Sequence, residues 1–274
     1  MTKLSIITVC FNAAEELNKT IESVLNQVKV EDLAIEHLII DNMSSDNTSE
    51  IVSYYKSRLD NTAKNIINVK YICEPDRGIY DAMNKGINLA NGEWMILLNA
   101  GDTFYNGYVL KKIIVNLNKK CDVIVGKYNR LDPSGNAIIT PPPIEKIRDR
   151  MIFCHQAIVF RVSIHKCYRY NLNYKIVADY DAVLRMYLDN RKFYYVDECF
   201  VNYDATGLSA NKMIETHKEM HRVRQDHEVI DEKLKDSAIF AYGLIKRVLL
   251  LKMPQGLRWK IVGFRNRHLE KKYL

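Results

Sequence analysis

Apolar positions switch between two periods along the first hundred residues. Leu4-Ser5-Ile6-Ile7-Thr8-Val9 is a short β-branched run of the kind a buried strand shows. From Glu15 to Gln27, Leu17, Ile21, Val24 and Leu25 recur at helical spacing. Ile35 to Ile40 reads as a second strand ending on Asp41, and Ser49 to Arg58 as a helix. Val69 to Cys73 is a third strand, Ile79 to Ala90 a helix, and Trp94 to Leu98 a fourth strand. Strands alternating with helices predict an α/β fold: a mostly parallel, doubly wound sheet with helices on both faces.

Beyond residue 100 the pattern is looser. Gly107 to Leu117 reads as a helix and Val123 to Val125 as a strand. Asp132-Pro133-Ser134-Gly135 marks the tip of a hairpin between Tyr128 and Thr140. Pro141-Pro142-Pro143 forces an extended segment and marks a change of structural unit. Ile158 to Phe160 predicts a strand, and Asp181 to Leu188 a helix opened by Ala178-Asp179-Tyr180. Met213 to Lys235 reads as a long polar helix with a narrow apolar stripe. The expected organisation is one domain over 1–210, in halves 1–127 and 128–210, followed by a helical basic extension over 211–274.

Polar residues gather where the predicted strands end. Phe11-Asn12 follows the first, Asp41-Asn42-Met43-Ser44-Ser45-Asp46 the second, and Asn99-Ala100-Gly101-Asp102 the fourth. In an open α/β sheet, ligands collect beyond the carboxyl ends of strands. The Asp41 carboxylate can accept a hydrogen bond from a nucleobase N–H, while Asp41, Ser44 and Asp46 also suit caps on the next helix. Asp102, in a loop opened by glycine, can hold a cation or close an Asx turn.

Composition narrows the choices. An apolar share of 47% and a charged share of 27% fit a soluble globular protein with ample core. No apolar run reaches the length of a membrane span, and the amino terminus lacks a signal-peptide pattern. The six cysteines are scattered, as suits reduced thiols in a cytoplasmic protein. The net charge of +7 is concentrated: nine of 40 Lys and Arg, but one of 33 Asp and Glu, lie between Lys246 and Leu274. A nucleic-acid reader spreads its basic patch over a folded motif, and none is present, so no nucleic-acid partner is expected. Gly-x-Ser-x-Gly, P-loop and Gly-x-Gly-x-x-Gly patterns are missing too.

The runs Ser5-Ile6-Ile7-Thr8-Val9 with Asn12, Ile39-Ile40-Asp41, Glu74-Pro75-Asp76-Arg77-Gly78-Ile79-Tyr80-Asp81-Ala82-Met83-Asn84-Lys85-Gly86 and Leu98-Asn99-Ala100-Gly101-Asp102 together resemble the family 2 glycosyltransferases. The match is close from Leu4 to about Asp102 and resumes weakly between Cys154 and Leu188. The long central run resembles the subgroup that builds bacterial surface polysaccharides and lipid-linked oligosaccharides. That resemblance implies a GT-A fold and inverting transfer from a nucleotide-sugar donor, with uridine diphosphate favoured, to a glycan or lipid-linked oligosaccharide acceptor.

It also implies roles. Asp41, helped by Asn42, would contact the base and Asp76 the nucleoside, while Arg77 or Lys85 would neutralise phosphate. Thr8, Asn12, Asn84, Asn99 and His155 would complete the nucleotide-sugar site, and Asp102 would hold Mg²⁺ or Mn²⁺. Many relatives carry Asp at the positions of Asn99 and Gly101, so this chain keeps one acid of the motif. Inverting transfer needs a carboxylate base for the acceptor hydroxyl, and the likeness aligns it with Asp179, which otherwise suits a helix N-cap. Asp181 is expected to pair with Arg185 four residues on. His155 could equally be a buried histidine with two satisfied bonds, and Thr206-Gly207-Leu208-Ser209 a donor-covering loop or a plain turn. His217 and His221 stand four apart, yet Lys218 replaces the glutamate of the zinc-protease pattern.

In the tail, Leu244, Ile245, Val248 to Leu251, Trp259, Ile261, Val262 and Phe264 interleave with cations. This suits a helix on an anionic membrane surface at the inner face of the cell membrane, or apolar residues packed on the body with solvated cations. Two rivals stand beside a transferase. A nucleotidyltransferase would need a glycine-rich basic loop where Cys10 to Glu16 stands, and a non-catalytic nucleotide-sugar-binding module would lack the base.

Overall fold

The computed structural model describes residues 2–62, 66–133, 135–205 and 212–230, with short stretches between 240 and 257. At the centre of the amino-terminal half lies β1 (Thr2–Cys10), flanked in parallel by β2 (Leu33–Asp41) and β4 (Trp94–Leu97), with β3 (Ile66–Cys73) outside β2. A parallel strand is covered on both faces, which is why β1 reads as a nearly continuous apolar run. Ile7 and Val9 pack on one face with α3 (Ile79–Leu89) and α6 (Ala178–Leu188). Leu4 and Ile6 pack on the other with α1 (Ala14–Leu25) and α4 (Val109–Ile114), beside which α2 (Thr48–Thr62) also lies. Helix α3 lies so close to β1 that a Cβ on Gly86 would stand 2.4 Å from Ile7 Cγ2.

The second half adds β5 (Thr103–Phe104), β6 (Val123–Asp132), β7 (Gly135–Ile139), β8 (Ile158–Arg161), α5 (Val162–Cys167), β9 (Phe193–Asp204) and α7 (Met213–Asp226). Short 3-10 turns occupy Ile144–Arg148 and His155–Ala157. The sheet order is β3-β2-β1-β4-β8-β6-β9-β5, with β7 paired to β6. Strands β1, β2, β3, β4, β6 and β9 run one way, and β5, β7 and β8 the other. The sheet is therefore mixed but mostly parallel, with its antiparallel members β5, β7 and β8 all in the second half.

Several boundaries differ from the sequence pattern. The expected strand Val123–Val125 is the start of β6, which runs on into the predicted hairpin. The helix expected from Gly107 is the six-residue α4, while α6 opens at Ala178 as expected. Strands β5 and β9 and helix α5 had no clear signature. Acidic Asp197 and Glu198 interrupt the apolar run of β9, near the register shifts of its pairing with β6. Met213 begins α7 as expected, but residues 231–239 fall outside the described set, as do Thr206-Gly207-Leu208-Ser209 and most of the basic tail, including Trp259, Ile261, Val262 and Phe264. No helix among the described residues is long and apolar enough to cross a membrane.

Candidate active site

The chain moves from β1 outward to β2 and β3, then returns to place β4 on the other side of β1. That reversal opens a crevice at the carboxyl ends of β1 and β4. The backbone beyond β4 stays tied to β1, with Leu98 N donating to Ile7 O at 2.9 Å and Ala100 N to Val9 O at 3.2 Å. It then turns through Gly101, whose φ of 98° is a conformation that side chains with a Cβ rarely adopt. Thr20 on α1 secures the turn, accepting from Gly101 N at 3.0 Å and donating to Asp102 O at 2.8 Å. An acid at position 101 would be strained here, which accounts for Asp102 standing without one.

A cleft of ≈ 520 Å³ opens beside this turn, and Asn99, Asp102, His155 and Asp179 all line it. The antiparallel return of β8 beside β4 carries the preceding turn, with His155 and Gln156, to the Asn99–Asp102 loop. Asp102 is 6% exposed, and burial pushes its carboxyl up to about 6 against the opposing hydrogen bond from Gln156 Nε2 at 2.8 Å. Asp179 stands in the first turn of α6, behind its N-cap Val177, so the simple capping role does not apply. Its Oδ2 lies 3.1 Å from His155 Nδ1, and its Oδ1 accepts from Tyr180 N at 2.9 Å. The Tyr80 hydroxyl lies 3.0 Å from Asp179 Oδ1 and 2.6 Å from Ile176 O. Burial first, and then the Asp179 charge, hold the Tyr80 phenol well above its ordinary range, so it remains a donor.

A carboxylate can only accept, so His155 turns an Nδ1–H to Asp179, and in the neutral form of the ring Nε2 keeps a lone pair. Asn99 Nδ2, 3.4 Å away, is placed to donate to it. The Asn99 carbonyl oxygen is buried with no partner among the described residues.

The remaining predicted residues lie outside the lining of this cleft. Asp41 is buried at the end of β2, accepting from the Tyr71 hydroxyl at 2.6 Å and Ser44 N at 3.1 Å. Asn12 Oδ1 accepts from Ser45 N at 2.8 Å, Asn42 Oδ1 from Asp76 N at 2.8 Å, and Asp76 Oδ1 from Gly78 N at 2.8 Å. These bonds lace together the loops after β1, β2 and β3, forming a rim. On that rim Arg77 pairs with Asp81 at 3.4 Å, and Lys85 with Glu74 at 3.1 Å. Thr8 and Asn84 make their side-chain bonds within the fold. Thr8 is fully buried, its hydroxyl 2.9 Å from His37 Nε2. Asn84 clasps the Tyr170 backbone, donating to its carbonyl at 2.8 Å and accepting from its N–H at 2.9 Å. Asp181 does pair with Arg185, at 2.9 Å. His217 and His221 stack on Phe240, with centroids 4.9 and 4.2 Å away.

Residues 5–175 match the family model for Glycosyl transferase family 2. The chain belongs to this family. It is 27% identical over 189 residues to a PGL/p-HBAD biosynthesis glycosyltransferase of Mycobacterium bovis (strain BCG / Pasteur 1173P2), covering 67% of this chain and 69% of that one. An uncharacterized glycosyltransferase of Mycobacterium tuberculosis (strain ATCC 25618 / H37Rv) is 31% identical over 194 residues, 66% of this chain and 68% of the relative. Among solved structures, S. aureus TarS 1-349 in complex with UDP-GlcNAc superposes with a TM-score of 0.64 at 16% identity, over 93% of this chain and 77% of that one. Mannosyltransferase PcManGT from Pyrobaculum calidifontis, in complex with GDP-Man and Mn²⁺, gives 0.62 at 12% identity, over 98% and 81%. The two likenesses establish a GT-A-like fold.

Two oxygens of cleft-lining residues in this family 2 glycosyltransferase suit a hard divalent cation. They are the Asp102 carboxylate, desolvated and with no cationic side chain bonded to it among the described residues, and the buried Asn99 carbonyl, without a partner among them. No group of three or more His, Cys, Asp or Glu able to hold a metal occurs among the described residues. A cation held here would take most of its ligands from substrate phosphates and water, as Mg²⁺ commonly does.

Proposed function

We propose that this enzyme transfers a sugar, with inversion, from a nucleotide-diphosphate sugar to a hydroxyl of a glycan or lipid-linked oligosaccharide acceptor. A UDP-sugar is the favoured donor, as in the TarS complex with UDP-GlcNAc. The observation that carries this reading is the shared cleft. Asp102 and Asp179, from opposite halves of the chain, line one cavity of ≈ 520 Å³.

Asp179 removes the proton from the acceptor hydroxyl as that oxygen attacks the anomeric carbon. The His155 Nδ1–H and the Tyr80 hydroxyl hold the carboxylate in one orientation before the acceptor arrives. Asp102 and the Asn99 carbonyl would hold the divalent cation, which supplies positive charge against the leaving diphosphate. The rim of Asn12, Asp41, Asn42 and Asp76 receives the nucleoside, with Arg77 and Lys85 close by.

Asp179→Asn tests the assignment. Calorimetry with UDP-GlcNAc and Mn²⁺ should show unchanged donor binding, while UDP release falls about 10²–10⁴-fold, the usual worth of a general base. Undiminished turnover would remove Asp179 from the base role.

A further inference from the structure

We propose that Glu219 is a positioning residue for Asp179, reaching from α7 to fix the turn from which α6 starts. The inference rests on Asp179 being the base. Glu219 Oε1 accepts from Lys175 N at 2.8 Å, and its Oε2 from Ile176 N at 2.6 Å and Val177 N at 2.9 Å. Three consecutive amide N–H groups thus converge on one carboxylate, an anion-holding backbone nest. They immediately precede α6, where no helical carbonyl can take them. The charge also lies at the positive end of α6.

The turn fixed in this way touches the base directly. Ile176 O accepts from the Tyr80 hydroxyl at 2.6 Å, and that hydroxyl lies 3.0 Å from Asp179 Oδ1. Ile176, Tyr80 and Asp179 therefore form a closed circuit: the one phenol proton is shared between Ile176 O and Asp179 Oδ1, and Val177 and Ala178 connect Ile176 to Asp179. Ile176 and Val177 line the cleft beside Asp179. Glu219 clamps the circuit from behind, and its side chain is 13% exposed.

The same helix also faces the substrate. Thr216 and Met220, on either side of Glu219 in sequence, line the cleft. An acceptor resting on α7 therefore rests on the element that sets the base. Asp179 and Glu219 both lie beyond residue 175, where the family match ends.

Helix α7 and the residue following it make further ties to this region. The Tyr174 hydroxyl donates to Asp226 Oδ2 at 2.6 Å, and His227 Nε2 lies 2.7 Å from Asp181 Oδ1. Tyr174 and Asp181 do not line the cleft. Cutting the Tyr174 tie loosens α7 without touching the circuit, which separates positioning from general stability.

The test uses the full chain as wild type, Glu219→Gln, Tyr174→Phe and Asp179→Asn. Glutamine keeps one acceptor oxygen and turns an amine toward the nest. We expect Glu219→Gln to lower kcat for UDP release from UDP-GlcNAc with Mn²⁺ by about 10–100-fold, the effect of a small misplacement of a reacting group. The calorimetric Kd for donor should stay within about twofold, and Tyr174→Phe should lose melting temperature without that fall in kcat. Hydrogen exchange, which needs no turnover, should quicken over residues 175–182 in Glu219→Gln and remain slow there in Tyr174→Phe. Wild-type kcat or unchanged exchange in Glu219→Gln would overturn the proposal, as would an equal loss of kcat in Tyr174→Phe. Asp179→Asn keeps the two readings apart. If it retains turnover, the base assignment fails. If it is inactive while Glu219→Gln runs at full rate, the clamp alone fails.

Discussion

Replacing Asp102 with Asn should stabilise the metal-free protein while removing the proposed cation site. The carboxyl is 6% exposed, and burial pushes it up to about 6 from 3.8. That rise corresponds to roughly 3 kcal/mol of native-state cost when the group is ionised. The sign follows from proton linkage. With the folded value raised, the protonated group costs nothing below pH 3.8, and the full cost is present once pH has risen through 6. Asparagine keeps an oxygen for Gln156 Nε2 and never ionises.

Urea unfolding followed by circular dichroism in EDTA reads the difference. At pH 7.5 Asp102→Asn should exceed wild type by roughly 3 kcal/mol, shrinking by roughly 2 kcal/mol at pH 4.5 as the wild-type carboxyl takes its proton. Adding Mn²⁺ and UDP at 100 times Kd should raise wild type by about 2.7 kcal/mol and leave the variant unmoved. A variant less stable than wild type at pH 7.5, or an equal difference at both pH values, would refute the reasoning. Such a residue exemplifies a site that sacrifices stability for function.

Two further predictions concern the scaffold. His165 is fully buried against Phe160 and Tyr170, and neither ring nitrogen has a partner in another side chain or backbone group among the described residues. Burial holds its pKa down to about 4 from 6.5, so stability is lost as pH falls from 6.5 toward 4, by roughly 3 kcal/mol. His165→Leu should remove that share of acid sensitivity in urea titrations at pH 7 and 4.5, and parallel profiles would contradict it. Gly86→Ala would place a Cβ 2.4 Å from Ile7 Cγ2 and should cost about 1–3 kcal/mol, read as a lower Tm; an unchanged Tm would show that α3 does not press on β1 as described.

The first half of the fold was legible because its signals are local. Each strand from β1 to β4 is a compact apolar run, and each ends on polar residues that a sheet places at one edge. The second half is built by long-range pairing. Strand β5 has two residues, and β9 crosses Asp197 and Glu198, so neither shows a clean period of two. The site divides in the same way. Asp102 and Asp179 were singled out through the family resemblance, and the fold brings both to the lining of one cleft. Thr8 and Asn84 were named from the family resemblance, which does not say which way a side chain turns. Thr8 turns toward His37 on β2, whose ring meets Tyr55 on α2. Nothing in the polar helix from Met213 marked out Glu219, because its three partners lie more than 40 residues away.

Proton inventory offers a reason for the asparagine at position 99, where many family members carry an acid. Asp179 accepts from His155 Nδ1, so whenever the imidazole is neutral its Nε2 has only a lone pair. A carboxylate at 99 would set its own lone pairs against that nitrogen, and the contact would require a doubly protonated imidazolium. Asparagine supplies the N–H that the neutral ring can accept, at 3.4 Å, and still turns a carbonyl oxygen away from the ring. The Asn99 amide and the tautomer of His155 are therefore a matched pair. An acid restored at 99 would strengthen a cation site while placing a second negative charge on the ring that orients the base.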